Sequence, residues 1–556
     1  LLSQNNGGTI IFSGASKSLT SLTTVGVSMF NCIGTTVNFT NGGLVINNTT
    51  ATGFQATSGG TLTVQGTGNT INSGTATALI VINTNIGAGN LNFQSISSNG
   101  GTAAGIILNN TGTIGGLVVS GDGSNTTKGG NASGGTIANK SDGGTNDSGL
   151  VGTAIFLNNT SNVVLRRMQI NDCQNFGIRG LDVGNFTFQY STINGSNGNT
   201  SVGTEDCIGF GTSLPAGANG LKNGATVLID NCIIRGGIEH NVEFYNIANT
   251  FSATISNCNI TNNSLASGGD GIQIELHTDS NAGTAAANGT FSIQNCFFDD
   301  NKSQPLQAAA NGDSFIDITI NNCMVQKTTQ GNEGFVLSNG TDGDMVAHVT
   351  NNMITGVGGA AIFVGQTPGN ATANSSLTAV ISGNMIVHPT TATNSAILVL
   401  LTSCDGGFCP LQAATANILI DNNMVTQNST GGASRGILVD TPDNSTMPSF
   451  TATVTNNTVS VQDNANGVTG IVVQARKSST GCFDVRNNTV TFPNGTPGGV
   501  FGLRVRQSDS GTANLEQGIS SGVAAGVLAA NNPGSTTEVL GTVNVVANNF
   551  CQTPPN

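Results

Sequence analysis

The chain contains no tryptophan and two tyrosines, and only 8% of its residues are charged. Sugar grooves are commonly lined by aromatic rings that stack on the substrate, so this scarcity counts against an enzyme acting on polysaccharides. The 16 lysines and arginines are scattered, the densest spot being "LRRMQI" at 165–170, and the net charge is −13. A phosphate backbone would be repelled, which excludes nucleic acid as a partner. No apolar run approaches the roughly 18 residues of a membrane helix; "AILVLLTSC" at 396–404 is too short. P-loop, HExxH and zinc-type CxxC patterns are missing as well, and no GxSxG nucleophile elbow is found. The chain starts at Leu1 without a methionine or a charged-then-apolar leader, the start expected of a piece of a longer precursor.

Glycine is abundant at 78 residues, yet 37% of the chain is hydrophobic, with Val, Ile and Thr prominent. Disordered chains are poor in such residues, so the composition predicts ordered β-structure. A polar, uncharged, acidic surface of this kind predicts an extracellular or cell-surface location, in a bacterium.

A ten-residue pattern recurs: "VLIDNCIIRG" at 227–236, "TISNCNITNN" at 254–263, "FSIQNCFFDD" at 291–300, "ITINNCMVQK" at 318–327 and "ILIDNNMVTQ" at 418–427. Aligning on its Asn gives a ladder of Asn231, Asn257, Asn295, Asn322, Asn352, Asn384, Asn423, Asn457 and Asn488, with Asn549 beyond and Arg167 and Tyr190 in the same place earlier. Gaps up to Asn488 run from 23 to 41 residues, and the longer gap before Asn549 places one more copy near "GVLAANN" at 526–532. A second run precedes each next copy, as in "NVEFY" at 241–245 and "DGIQIEL" at 270–276. Irregular spacing around a fixed local pattern suits a β-solenoid, which bulges insertions out as loops between strands. Equivalent strands one coil apart would lie about 4.8 Å from each other, stacking equivalent side chains in columns. Asn tolerates the left-handed backbone of a tight corner. Cys232, Cys258, Cys296 and Cys323 follow that Asn, and Met353, Met385 and Met424 follow it in later copies, so this slot is expected to point inward and fill the corner.

These residues predict an all-β fold: a single right-handed parallel β-helix of roughly 18 to 20 coils with loop insertions. Residues 1–160 form its shorter coils, and residues 161–556 continue it with the Asn and Cys/Met ladder. The eleven cysteines are odd in number, and Cys404 and Cys409 in "SCDGGFCP" flank a Gly-Gly turn suited to a short disulfide. The acidic loops "SGDGSN" at 120–125 and "SDGGTNDSG" at 141–149 read as flexible glycine-rich turns.

The Asn-centred corner and its flanking runs resemble the right-handed parallel β-helix family, which includes pectin-lyase-like proteins and β-helical bacterial surface proteins such as autotransporter passengers. The resemblance covers residues 160–550 well and 1–160 more loosely. It implies the fold and leaves the function open, because the family holds lyases, hydrolases, adhesins and inert stalks. The Gly-His-Gly and Arg-Ile-Lys strings of the polygalacturonase-like set are absent, as is the Arg-x-Pro-x-x-Arg of pectate lyases.

One constellation invites chemistry. Aligning strands on Ile208, Val242, Ile272 and Phe335 brings Asp206, His240, Asp270 and Glu333 into one column, with Glu205 and Glu239 beside it and Glu243, Glu275, His277 and Asp279 nearby. Asp206 and Asp270 would flank His240 at about 10 Å, near the carboxyl separation of an inverting glycosidase. The same column could hold calcium in a structural role or stand solvated. The expected function is a structural or adhesive solenoid, a surface-displayed stalk or filament subunit that meets copies of itself or cell-surface glycans. The rival is a polysaccharide lyase, glycoside hydrolase or glycan-binding module that uses Asp206, His240, Asp270 and Glu275.

Overall fold

Short runs of Val, Ile, Thr and Phe, many closed by a residue at positive φ, form strands here, and a single short helix occurs among the described residues. The computed structural model describes residues 1–556 except 144–148, 200–204, 213–216, 263–268, 279–285, 327–331, 341, 368–374, 402–414, 430–434, 442–448, 463–467, 496–500 and 552–556. The chain divides into two units, Leu1–Gln273 and Ile274–Asn556. Both are right-handed parallel β-helices in which successive strands visit three parallel sheets in turn. The first kind of sheet position is filled by 18 strands among the described residues, the lower end of the expected number of coils.

In the first unit, Ile178–Val183, Phe186–Gln189 and Thr192–Asn194 make one coil, paired in parallel with Ile208–Phe210, Thr226–Asp230 and Ile233–Arg235 of the next. In-register pairing stacks like on like: Leu79, Ile106, Ile155, Ile178, Ile208 and Val242 form one buried column. Ile170, Ile193, Ile234 and Ile260 form another. Burying each such side chain contributes about 2 kcal/mol or more, and slipping by one residue would turn the column outward.

The second unit repeats the scheme, with Ile362–Thr367, Ser376–Ser382 and Met385–His388 paired to Ile397–Leu401, Thr415–Asp421 and Met424–Gln427. Its interior includes the column Ile320, Val349, Ile381, Ile420, Val454 and Val485. Near its C-terminal end the alanine-rich stretch Ala524–Asn531 is helical, in keeping with alanine's helix preference. A disulfide joins Cys482 to Cys551 across 69 residues. Cys404 and Cys409 lie outside the described residues, as does most of the loop 141–149.

The corner corrects the ladder read from the sequence. Positive φ is found at Arg167, Tyr190, Asn231 and Asn257 in the first unit. In the second it is found at Asn295, Asn322, Asn351, Gly383, Asn422, Asn456 and Asn487. Asn352, Asn384, Asn423, Asn457 and Asn488 therefore stand one residue later, in the inward column that Cys323 occupies a coil before them. There they form a buried amide ladder: both the main-chain and side-chain N–H of Asn352 donate to Asn384 Oδ1. The same pair of bonds runs from Asn384 to Asn423, from Asn423 to Asn457, from Asn457 to Asn488 and from Asn488 to Asn532. Asn532 closes the ladder in the copy expected near 526–532, although helix stands there in place of a strand.

The methionines consequently point the other way. Met324, Met353, Met385 and Met424 are register neighbours, and Met324, Met385 and Met424 are 40%, 42% and 56% exposed. Cys232 and Cys258 in the first unit, and Cys296 and Cys323 in the second, are the buried members of the inward column.

The loop at 120–125 is held in place and is not a loose turn. Asp122 Oδ1 accepts the amides of Asn125 and Ser124 and Oδ2 accepts the Asn131 side-chain N–H, and these donors, with Arg167 3.3 Å away, bring the carboxyl down to about 2.

Candidate functional site

The first-unit members of the predicted column do come together. Ile208 and Val242 are register partners, and the residues two before them, Asp206 and His240, stand at the starts of adjacent strands. The His240 amide donates to Asp206 Oδ1 at 2.9 Å, and the Asp270 amide donates to His240 Nδ1 at 3.0 Å. Each side chain thus receives a main-chain N–H from the following coil, binding coil to coil where the strands begin. His240 Nδ1 also lies 3.8 Å from Asp270 Oδ2.

The column is buried. Asp206 and Glu205 are fully enclosed, Glu243 and Asp270 are 2% exposed, and the His240 side chain keeps 13%. Glu205 Oε2 accepts the Asn199 amide at 2.6 Å, which ties the preceding loop to the strand. Burial first, and the nearby Glu243 charge second, push the Asp206 carboxyl well above the ordinary carboxylate range; the His240 amide pulls the other way. Burial also drives the adjacent Cys207 thiol upward.

Arg179 is the partner that sequence reading missed. It pairs in register with Gly209, which pairs in turn with Glu243, so one column reads Arg, Gly, Glu. A Cβ at Gly209 would stand 2.8 Å from Asp206 Oδ2 and 3.2 Å from Arg179 Nη1, so the missing side chain makes the notch that both groups enter. Arg179 is 5% exposed, lies over the Phe176 ring at 4.5 Å and donates from Nη2 to Thr212 Oγ1 at 2.7 Å. Burial lowers its affinity for the proton, while Glu243 and Asp206 support its charge. Its signal in the sequence was rarity: an arginine in the "GIRGLDV" strand of a chain with few cations.

Asp206, Glu239 and His240 present ligand atoms that all lie within 4.8 Å of one another, a set able to hold a metal ion. The remaining candidates belong to the second unit. Glu275 Oε1 meets His277 Nε2 at 2.7 Å. Glu333 meets the Gln304 side chain at 3.4 Å. The strand Leu306–Asn311 pairs with Phe335–Gly340 and adds a coil before Glu333. Asp279 lies outside the described residues. Of the two tyrosines, Tyr245 is buried and Tyr190 carries the Arg167 guanidinium over its ring at 5.4 Å.

Comparison with protein families, with curated proteins and with solved structures returns no match. The resemblance drawn from the repeat is therefore met at the level of the parallel β-helix. Among the described residues no helix is long and apolar enough to cross a membrane.

Proposed function

We propose that the chain is a structural or adhesive β-solenoid of an extracellular surface, akin in role to the β-helical bacterial surface proteins that its repeat resembles. The observation that carries this reading is the fate of the candidate column: Asp206 and His240 are engaged in receiving main-chain amides of the next coil, beneath a nearly closed surface. Groups used in this way brace the solenoid, and buried carboxyls cannot meet a polymer without the loops moving aside. The Cys482–Cys551 disulfide supports an oxidising compartment, where such bonds persist. Self-association or glycan contact is the partner chemistry this role calls for.

The test is a panel of uronate-containing and neutral polysaccharides incubated with the wild-type chain and with Asp270→Asn, followed by measurement of reducing ends and unsaturated products. The scaffold reading expects no product from either protein. Product from the wild type that Asp270→Asn abolishes, with the circular dichroism of the two unchanged, would overturn it in favour of a lyase or hydrolase. Sedimentation velocity across a wide concentration range, and binding to a glycan array, then separate self-assembly from adhesion.

A further inference from the structure

We propose that Asp206, Glu239 and His240 bind a divalent first-row transition-metal ion of the zinc type, pinning adjacent coils of the first unit. The inference stands apart from the scaffold reading and holds whether or not the chain is an enzyme.

Three observations lead to it. The first is the geometry: two carboxylates and an imidazole present ligand atoms within 4.8 Å of one another. Around a tetrahedral zinc with bonds near 2.1 Å, ligand atoms stand about 3.4 Å apart. The contraction required is at most about 1.4 Å, and half-buried Glu239 has rotamer freedom to contribute to it.

The second is charge. Glu205, Asp206, Glu243 and Asp270 are buried with Glu239 beside them, and Arg179 is the buried guanidinium set against Glu243 and Asp206. Buried like charges at close range require a proton or a cation.

The third is an orphaned atom. Asp206 Oδ2, on a fully enclosed side chain, finds no hydrogen-bond donor. A bridging proton or a cation drawn to Asp206 would satisfy this atom.

The histidine decides the class of ion. Calcium and magnesium take oxygen ligands, whereas an imidazole with carboxylates suits zinc or manganese. A metal on Nε2 leaves the ring proton on Nδ1, so that atom would give up the Asp270 amide and donate instead to Asp270 Oδ2, 3.8 Å away, the carboxylate–histidine–metal arrangement. The 13% exposure of the His240 side chain gives the ion its way in.

The experiment is calorimetric titration of the chelator-treated chain with zinc, and separately with manganese and calcium, alongside Glu239→Gln, His240→Gln and His277→Gln. Thermal melts of each protein with and without zinc check that the variants fold. One zinc per chain, weakened at least tenfold by Glu239→Gln and by His240→Gln and unaffected by His277→Gln, is the expected result, with a zinc-dependent rise in melting temperature. X-ray absorption should then report mixed nitrogen and oxygen ligands. Absence of zinc binding overturns the proposal and leaves a shared proton as the bridge. Binding lost with His277→Gln but kept with Glu239→Gln overturns it in favour of the Glu275–His277 pair, and a preference for calcium overturns the ion class.

Discussion

Replacing Asn423 separates the inward amide ladder from the left-handed corner beside it. Asn423 Oδ1 accepts the Asn384 main-chain N–H at 3.0 Å and its side-chain N–H at 2.9 Å. Asn423 Nδ2 donates to the Ile381 carbonyl at 2.8 Å and to Asn457 Oδ1 at 3.0 Å. Asn423→Ala removes all four bonds. The Asn384 side chain keeps the Val349 carbonyl, and Asn457 Oδ1 keeps the Asn423 amide. The Asn384 main-chain N–H loses its side-chain acceptor inside the protein, which costs about 1–3 kcal/mol, and the other three bonds are worth about 1 kcal/mol each, roughly 4–6 kcal/mol together. Asn422→Gly, one residue earlier at φ 54°, should change stability by less than about 0.5 kcal/mol because glycine adopts that backbone freely. Asn423→Cys should fall between, since Cys258 Sγ already accepts the Cys232 amide at 3.4 Å in the equivalent place of the first unit. The assay is urea unfolding followed by far-ultraviolet circular dichroism, with hydrogen exchange at the Asn384 amide as the local readout, because solenoids yield coil by coil. Equal losses from Asn422→Gly and Asn423→Ala, or a silent Asn423→Gly, would refute the assignment of the two columns.

Reduction of Cys482–Cys551, or Cys482→Ala with Cys551→Ala, should cost about 4 kcal/mol from the entropy of the 69-residue loop. The loss should show as faster hydrogen exchange in the C-terminal coils, and unchanged exchange there would count against it. Lys140 is fully enclosed, its Nζ donating to Ser98 Oγ and the Gly100 carbonyl, and burial lowers it from 10.5 to about 8. A folded value below the unfolded one adds stability above the unfolded value that is lost as pH falls through the folded one. The wild type should therefore gain on Lys140→Met between about pH 8 and 10.5 in urea midpoints, and a flat difference would refute the burial argument. Mild peroxide should oxidise Met324, Met385 and Met424 before Met168 and Met345, which are at most 1% exposed, with the fold retained. Peptide mass spectrometry showing Met168 oxidised in step with Met424 would contradict the outward stripe.

The corner shows why the ladder was half legible. Where the sequence reads Asn-Cys, as at Asn322-Cys323, the corner residue is unambiguous. Where it reads Asn-Asn, as at Asn351-Asn352, Asn422-Asn423, Asn456-Asn457 and Asn487-Asn488, two unrelated demands are met by the same side chain. One Asn supplies a left-handed backbone and the next an inward amide, and only the pairing between coils tells them apart. Placing the methionine that follows in the cysteine slot then displaced the register by one.

The sequence by itself determined the class of fold, because a recurring apolar run with polar corners admits a stack of parallel strands and little else. It also determined that Asp206, His240 and Asp270 share a column, since that follows from aligning adjacent strands. Tertiary structure alone decided that the column is enclosed and that Arg179 reaches it across the notch at Gly209. It likewise decided that "PLQAAAN" near 305–311 is a strand although it lacks β-branched residues, and that Cys482 meets Cys551. Each of these depends on which coil lies against which, a distance through space that local preference along the chain does not encode.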